Sequence, residues 1–223
     1  MSVEQEARPK TTSRARTLTV SEVVQETKDS ITISFEVPDE IVDDFKHQPG
    51  QFITLKIPSD QTGHVARCYS LSSSPHVDDF RLEIGVKRTD GGYASNWLCD
   101  NISVGMQVTA LPPSGQFTAK NLDVDMLFFA GGSGITPVLS LVKSALVSGG
   151  GEGVLFYANR DADSIMYARQ LQQISSEFPE RFTLVDWLES EKGIPTSEAV
   201  EKRIRGHKGS EIFTCGPALF MDL

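Results

Sequence analysis

The amino-acid sequence predicts two domains, an antiparallel β-barrel of the Greek-key type followed by an α/β domain with a parallel sheet. Three observations predict this architecture. In the first half of the chain apolar and polar residues alternate with a period of two, which is typical of strands with one buried face. In the second half, continuous apolar runs alternate with segments of helical spacing, which is typical of βαβ units. The change between these patterns lies near residues 118–125.

The first domain is built from short alternating strands separated by turn-rich segments such as Pro49-Gly50. These strands are predicted at residues 31–37, 53–57, 82–87 and 106–110. Each is expected to bury one face and to leave the other in water. Several short strands of this kind favour a barrel. We assign residues 17–120 to this domain and residues 1–16, which are polar and lack periodicity, to a disordered leader.

The second domain, residues 121–223, is predicted from four apolar strands with helices between them. The strands are expected at residues 126–130, 154–158, 182–188 and 212–215. Ser164 and Thr196 are suited to cap the second and third helices, since their hydroxyls accept a first-turn N–H. Residues 218–223 have the pattern of the first turns of a helix. We therefore expect the α/β domain to be C-terminally truncated and the chain to be a fragment of a longer protein.

Composition excludes several function classes. The chain has 21 Lys and Arg against 30 Asp and Glu, a formal charge of −9, so its field repels nucleic acid and anionic membranes. No apolar run approaches the ~20 residues of a membrane span, and no secretory signal is visible, which favours a cytoplasmic protein. Three widely spaced cysteines and four scattered histidines give no zinc, iron–sulfur or other metal pattern.

The strongest local feature is Gly131-Gly132-Ser133-Gly134-Ile135-Thr136-Pro137, which follows an apolar strand and opens a helix. Glycines allow the backbone to approach a ligand closely, and the free N–H groups of a helix start attract an anion. Pro137 suits the first helical position, which needs no N–H. The pattern predicts a diphosphate site. The alternative is a tight strand–helix turn without a ligand.

Two further segments are candidates in the barrel. Arg67-Cys68-Tyr69-Ser70 is predicted at the start of a strand, with the Arg67 fork and the flat Tyr69 ring on one face, where they suit a phosphate and a planar ring. The alternative is a salt-bridged strand with a packed tyrosine. Gly92 opens a segment in which Ser95 or a neighbour caps a helix, again an anion site. Its alternative is a plain capped helix.

Together and in this order, these motifs resemble the ferredoxin–NAD(P)H reductase superfamily from about Thr17 to the end of the chain. The flavin motif Arg-x-Tyr-Ser matches Arg67, Tyr69 and Ser70, and Gly-x-x-Ser matches Gly92 and Ser95. The nucleotide motif Gly-x-Gly-x-x-Pro matches Gly132, Gly134 and Pro137, and the closing Cys-Gly-Pro matches Cys215, Gly216 and Pro217. Further stretches, such as Tyr157-Ala158-Asn159-Arg160-Asp161, are similar to the reductase components of 3-ketosteroid 9α-hydroxylase and phenylacetyl-CoA oxygenase systems.

The resemblance implies an NAD(P)H-dependent flavoprotein reductase that takes hydride from NADH or NADPH onto FAD. It then passes electrons singly to an iron–sulfur acceptor, a ferredoxin-type domain or oxygenase component, that serves a ring- or steroid-hydroxylating oxygenase. The [2Fe–2S] domain is expected only in a full-length relative, because the cysteine cluster is missing from this chain. A monomer is expected. The alternative function is a non-catalytic flavin-binding electron-transfer subunit of a larger complex.

The resemblance also implies residue roles. Arg67 holds the FAD diphosphate, Tyr69 stacks on the isoalloxazine and Ser70 hydrogen-bonds near its N5 atom. The remaining FAD contacts are assigned to Val86, Lys87, Arg88, Gly92, Tyr93, Ala94 and Ser95. The nicotinamide nucleotide is assigned to Gly132, Ser133, Gly134, Thr136, Cys215, Gly216 and Pro217. Ser70, Thr136 and Cys215 are the residues expected beside the reacting atoms.

The choice of coenzyme is predicted from the end of the second parallel strand, where Asn159 and Arg160 precede Asp161. An acidic residue at this place favours a ribose 2′-hydroxyl, whereas an arginine pairs with a 2′-phosphate. Both residue types are present. Because Arg160 is also common among NADH-using members of the family that the chain resembles, NADH is favoured.

Overall fold

The structure is a computed structural model that describes residues 14–78, 81–204 and 209–223. Its fold confirms the predicted class, with one antiparallel sheet and one parallel sheet. Residues 1–13 of the predicted leader lie outside the described residues, and the first strand already begins at Arg16. No helix in the described part of the chain is both long and apolar enough to cross a membrane.

The first domain is a six-stranded antiparallel barrel with the sheet order β4-β3-β6-β1-β2-β5. Its elements are β1 (Arg16–Thr27), β2 (Ser30–Glu36), β3 (Phe52–Ser59), β4 (Gly63–Ser70), β5 (Leu82–Lys87), α1 (Tyr93–Asn101) and β6 (Gln107–Ser114). A bridge between Leu71 and Ile84, and a 2.8 Å hydrogen bond from the Ser72 N–H to the Glu83 carbonyl, join the two sheet edges. The barrel is therefore closed around its apolar core.

Two barrel strands contradict the expectation of one wet face. In β2, Ile31 and Ile33 fill the core as predicted, but Thr32 and Ser34 on the opposite face are also buried, at 3% and 1% exposure. In β5, Glu83 is likewise only 7% exposed. The reason is tertiary, since the second domain packs on this outer face of the barrel. The expectation was wrong here because alternation in the sequence shows which residues share a face of the strand, but not whether another domain packs on that face.

The second domain is a four-stranded parallel sheet with the order β10-β7-β8-β9. Its elements are β7 (Met126–Gly131), α2 (Ile135–Ser148), β8 (Gly153–Asn159), α3 (Ala168–Glu177), β9 (Phe182–Leu188), α4 (Glu189–Lys192), α5 (Ser197–Ile204), β10 (Glu211–Cys215) and α6 (Ala218–Met221). The chain runs from β7 outward to β9 and then returns to the other side of β7. The carboxyl ends of β7 and β10 therefore flank a topological switch point, where α/β sheets bind ligands.

Helix starts in this domain follow the sequence in one case and differ in the other. Thr196 caps α5 as predicted, because its hydroxyl accepts the Ala199 N–H at 3.3 Å. Ser164 does not cap α3. It ends a short 3-10 turn that Asp161 caps, and α3 begins only after Tyr167, whose φ is 60°. A positive φ at a non-glycine residue ends one helical segment before the next begins, and spacing alone does not reveal it.

Polar contacts fix the two domains against each other. The Ser140 hydroxyl on α2 donates to the Ser73 carbonyl at 2.6 Å, and the Ser74 and Ser144 hydroxyls are 2.8 Å apart. At the edge of this contact, the Lys143 ammonium lies 3.2 Å from an Asp78 carboxylate oxygen. The serines are buried, and these cross-domain hydrogen bonds help to satisfy their polar groups at the interface. This packing sets the distance between the barrel and the switch point of the parallel sheet.

Candidate functional site

A cleft of about 750 Å³ opens between the barrel and the carboxyl ends of β7 and β10. Its lining residues come from both domains: Arg67, Cys68, Tyr69, Ser70, Gly85, Lys87, Thr89, Gly91, Gly92, Tyr93, Ala94, Ser95, Ser133, Gly134, Thr136, Pro137, Cys215, Gly216 and Pro217. The lining contains no carboxylate, and its charged side chains are Arg67 and Lys87. A cationic cleft in a chain of formal charge −9 is suited to an anionic ligand.

The barrel side of the cleft is formed at the end of β4, not at the start of a strand as the sequence suggested. Strand β4 is mostly exposed and carries little apolar alternation, so its bounds were not visible. Arg67 is exposed, donates to the Ala66 carbonyl at 2.8 Å, and makes no ion pair within the described residues. Its charge therefore remains available to an anion entering the cleft.

Tyr69 lies two residues along the same strand, with its ring half-buried. Burial raises the pKa of Tyr69 to about 12, although the Arg67 charge acts to lower it. The phenol is therefore neutral over the whole physiological range. A neutral, partly buried ring beside a free guanidinium can hold a planar ring and a phosphate together.

The start of helix α1 forms the floor beside Arg67. Gly92 occupies the N-cap, and no side chain caps the helix. Because α1 begins at Tyr93, Ser95 is its third residue and not its cap. The Ser95 hydroxyl oxygen accepts the N–H of Thr89, which precedes the helix, at 3.1 Å. The Tyr93 hydroxyl donates to the Pro58 carbonyl at 2.9 Å and ties the helix to β3. First-turn N–H groups without a side-chain cap can bind an anion in the cleft.

The glycine turn after β7 forms the opposite side of the cleft. A 3-10 turn covers Gly132–Gly134, and α2 begins at Ile135, so Pro137 is the third helical residue and not the first. The third position also has no intrahelical N–H bond, which is why proline is tolerated there. Gly132 has a φ of +53°, and a Cβ on Gly134 would lie 2.1 Å from the Cys215 carbonyl oxygen. Both glycines are therefore required by the backbone.

Thr136 and Cys215 both line this side of the cleft. The Thr136 hydroxyl donates to the Ser133 carbonyl at 3.0 Å, which stabilises the turn. Burial raises the pKa of the Cys215 thiol, so it is uncharged at neutral pH. Tyr69 is also neutral, so the cleft combines uncharged groups from both domains with the cations Arg67 and Lys87 of the barrel. Such a site positions reactants and does not supply a strong acid or base.

The cleft gathers most of the predicted site residues, and some lie elsewhere. The Val86 side chain is in the barrel core at 1% exposure, and Arg88 is paired with Asp100 at 2.6 Å. Neither lines the cleft. Gly132, Asn159 and Arg160 line a neighbouring cavity of about 220 Å³. The roles of all these residues remain predictions.

Sequence reasoning missed Gly85 and Thr89, which line the cleft. Gly85 had a signal, because a glycine inside an alternating strand marks a close approach of another chain segment. A Cβ there would lie 2.3 Å from the Tyr167 hydroxyl oxygen and 2.8 Å from that of Thr136. Gly85 therefore lets the two domains come together behind the cleft. Thr89 acts through its backbone, for which the sequence carries no signal.

Two protein-family models match the chain. The oxidoreductase FAD-binding domain matches residues 17–119, and the oxidoreductase NAD-binding domain matches residues 128–223. The first match spans the barrel and the second spans nearly all of the parallel-sheet domain. The two sides of the cleft thus belong to two different cofactor-binding domain families.

Proteins with similar sequences include components of oxygenase systems. The chain is 54% identical over 210 residues to the ferredoxin reductase component of 3-ketosteroid-9-alpha-monooxygenase from Rhodococcus rhodochrous, covering 94% of this chain and 60% of that protein. It is 31% identical to one component of the 1,2-phenylacetyl-CoA epoxidase from Escherichia coli, covering 92% and 61%. The chain therefore spans about 60% of the length of these relatives.

Solved structures share the fold. The flavohem-like FAD/NAD-binding domain of nitric oxide dioxygenase from Vibrio cholerae superposes with a TM-score of 0.77 at 22% identity, covering 93% of this chain and 89% of that one. At this identity the likeness shows the fold alone. It extends over both domains of the chain and over the cleft between them.

Proposed function

The chain belongs to the FAD- and NAD-binding oxidoreductases of the ferredoxin–NAD(P)H reductase superfamily, and we propose that it is the NAD(P)H-oxidising flavin module of an oxygenase reductase. In this proposal it takes electrons from NADH or NADPH onto FAD and delivers them to an iron–sulfur acceptor. The observation that carries the proposal is the single cleft in which Tyr69 and Cys215 face the same space from two domains. We propose residues 17–120 as the FAD-binding domain and 121–223 as the NAD(P)-binding domain.

The barrel side of the cleft fits FAD. Arg67 and the uncapped first turn of α1 supply a cation and N–H donors for a diphosphate. The neutral Tyr69 ring suits an isoalloxazine, and Ser70 supplies a hydroxyl at the end of β4. When bound, the flavin supplies the redox chemistry, accepting two electrons from a reduced nicotinamide and releasing them singly.

The parallel-sheet side fits a nicotinamide dinucleotide. The turn at Gly132–Gly134 brings Ser133 and the backbone of Gly134 to the cleft, and α2 starts beside it without a side-chain cap. Thr136 holds the turn in shape, and Gly134 brings it against the Cys215 backbone. These residues exclude water and fix the orientation of a flat ring, which is the contribution that such a reaction needs from the protein.

The acceptor is proposed from the similar proteins, whose names include a ferredoxin reductase component. We propose a ferredoxin-type domain or protein that carries the electrons on to an oxygenase. Because one chain supplies both sides of the cleft, the proposal is for a monomer. The three unpaired cysteines are consistent with a reducing cytoplasm.

The test is anaerobic reduction of the flavin-loaded protein by NADH and by NADPH, followed by absorbance. We expect the purified chain to bind FAD, to lose the oxidised flavin band on addition of coenzyme, and to reduce ferricyanide with multiple turnovers. A folded protein that binds no FAD contradicts the proposal. A protein that binds FAD but is reduced by neither coenzyme supports the alternative of a non-catalytic electron-transfer subunit.

A further inference from the structure

A second cavity of about 220 Å³ adjoins the cleft at the carboxyl ends of β7 and β8. The two spaces share Lys87, Ser133 and Pro217, so they are continuous across the glycine turn. If a dinucleotide lies with its nicotinamide near Thr136, its other half continues into this second cavity. A role for this cavity in coenzyme choice therefore rests on the proposed function.

Lys87, Arg160 and Glu189 are the charged residues in the lining of the second cavity. Arg160 and Glu189 both line it, and the Ser190 N–H donates to the Arg160 carbonyl at 2.8 Å, which holds the two segments together. In folds of this kind an arginine after the second strand can pair with a phosphate on the adenosine ribose. The state of the Arg160 guanidinium therefore decides which coenzyme the cavity accepts.

The Arg160 guanidinium already forms an ion pair with a residue of the other domain. It lies 2.8 Å from a carboxylate oxygen of Asp29, in the turn between β1 and β2. The other Asp29 oxygen accepts the Thr27 hydroxyl at 2.7 Å and lies 3.8 Å from the Lys87 ammonium. The Asp29 carboxylate thus has three partners, Thr27, Lys87 and Arg160, and its side chain is 21% exposed.

Asp29 is ionised at neutral pH. Burial acts to raise its pKa, but the Thr27 hydroxyl and the charges of Lys87 and Arg160 lower it, and the net result is a pKa below the usual value. The two cations in the lining of the second cavity, Lys87 and Arg160, are therefore balanced by Glu189 in the same lining and by Asp29, which is paired with both cations. A 2′-phosphate adds close to two negative charges, and the described lining of this cavity holds no uncompensated cation to meet it.

We propose that Asp29 of the barrel is a positioning residue that keeps the Arg160 guanidinium in an ion pair and thereby selects NADH against NADPH. The residue acts across the domain interface, through Arg160, and does not itself line either cavity. Its carboxylate neutralises the arginine that would otherwise attract a 2′-phosphate. Selectivity in this chain then depends on a contact between domains and not on the nucleotide domain alone.

The test compares NAD⁺ and NADP⁺, which differ only in the 2′-phosphate, by calorimetric binding to the FAD-loaded protein. In Asp29→Asn, we expect the ratio of the NADP⁺ to the NAD⁺ association constant to rise about fivefold, the size of effect that a partly exposed ion pair supplies. The NAD⁺ constant itself changes less than twofold. The ratio of kcat/KM values for NADPH and NADH moves in the same direction.

Asp78→Asn is the matched control, because it also removes a carboxylate from a cross-domain ion pair, with Lys143, but lines neither cavity. Its coenzyme ratio should stay at the wild-type value. In the double variant Asp29→Asn, Arg160→Gln the gain in NADP⁺ binding should disappear, because the released cation is gone. Asp29→Ser serves as a second variant if Asp29→Asn fails to fold.

The outcomes separate the two proposals. If NAD⁺ binds but the ratio does not move in Asp29→Asn, or moves equally in Asp78→Asn, the role of Asp29 is wrong and the proposed function stands. A gain that persists in the double variant also overturns the role, because it would not pass through Arg160. If the wild-type protein binds neither nucleotide, both proposals fail together.

Discussion

The two sides of the cleft are built on different principles. The barrel side presents side chains, with Arg67 and Tyr69 on an exposed strand that pairs along its length with β3. The parallel-sheet side presents backbone, with Gly132 in a positive-φ conformation and Gly134 packed closely on Cys215. Substitutions should therefore act in opposite ways. The barrel side is sensitive to the loss of atoms, and the other side is sensitive to their addition.

The largest expected effect is the addition of one methyl group to the parallel-sheet side. In Gly134→Ala the new Cβ would lie 2.1 Å from the Cys215 carbonyl oxygen, so the turn and β10 must separate. We expect kcat/KM for NADH to fall about 100-fold, the loss associated with misplacing a reactant by an ångström. FAD binding should persist, since the barrel is untouched. Stopped-flow reduction and flavin fluorescence measure the two effects separately.

Gly153→Ala is the control for this change. A Cβ there meets the Phe182 ring at an ordinary 3.5 Å in the same sheet. Its kinetics should remain within twofold of the wild-type values. Equal losses in the two variants would show that the parallel sheet tolerates no added volume anywhere, and the contrast between the two sides would then have no basis at Gly134.

Loss of a cation from the barrel side is the next largest effect. Arg67 has no carboxylate partner among the described residues, and a charge-assisted hydrogen bond contributes about 1.5–3 kcal/mol. Arg67→Gln should therefore weaken FAD binding about 10- to 100-fold. The NAD⁺ association constant should change little. Arg169→Gln, at an exposed arginine of α3 outside the cleft, is the control and should leave FAD binding unchanged.

A smaller effect is expected where the two sides are joined. In Gly85→Ala the new Cβ would lie 2.3 Å from the hydroxyl oxygen of Tyr167, which is fully buried and cannot easily move. Overpacking of this kind costs about 1–3 kcal/mol, so the melting temperature should fall by roughly 2–12 °C for a chain of this size. Both ligands should still bind. A melting temperature equal to that of the wild type would mean that the close packing of the two domains at Gly85 does not contribute to stability.

Local chemistry allowed much of this arrangement to be predicted. The glycine turn after β7 is recognisable because strand, glycines and helix are contiguous, and the apolar runs of β7 and β8 report strands buried on both faces. The fold class followed from two periodicities, each of which is a local property. Residues 67–70 were candidates from their own residue types, but these types are common at surfaces, and the resemblance was needed to assign them to a flavin. Residues 215–217 were found through the resemblance alone.

The features that escaped prediction depend on contacts between distant residues. Strand β1 was not identified because a register shift between Val20 and Glu22 interrupts its alternation. The buried outer face of β2 and the Asp29–Arg160 pair exist only because the domains meet. Nothing at a separation of 131 residues marks these two side chains as partners. The two sides of the cleft and its cations Arg67 and Lys87 could be expected from sequence, whereas the Asp29–Arg160 ion pair beside it could not.

The smallest expected effect is a difference in labelling rate between the thiols on the two sides of the cleft, measured in the wild-type protein. Cys68 is exposed on the barrel side, whereas burial raises the pKa of Cys215 above its ordinary value. A raised pKa means less thiolate at pH 8, so iodoacetamide should label Cys68 first, and Cys215 labelling should still be increasing above pH 9. FAD should then protect Cys68, and NAD⁺ should protect Cys215.

Cys99 is the internal control, because burial also raises its pKa but it lies outside the cleft, so neither ligand should slow its labelling. Peptide mass spectrometry resolves the three rates. Protection of Cys99 equal to that of Cys215 would mean that the ligands tighten the whole fold and do not cover one side at a time.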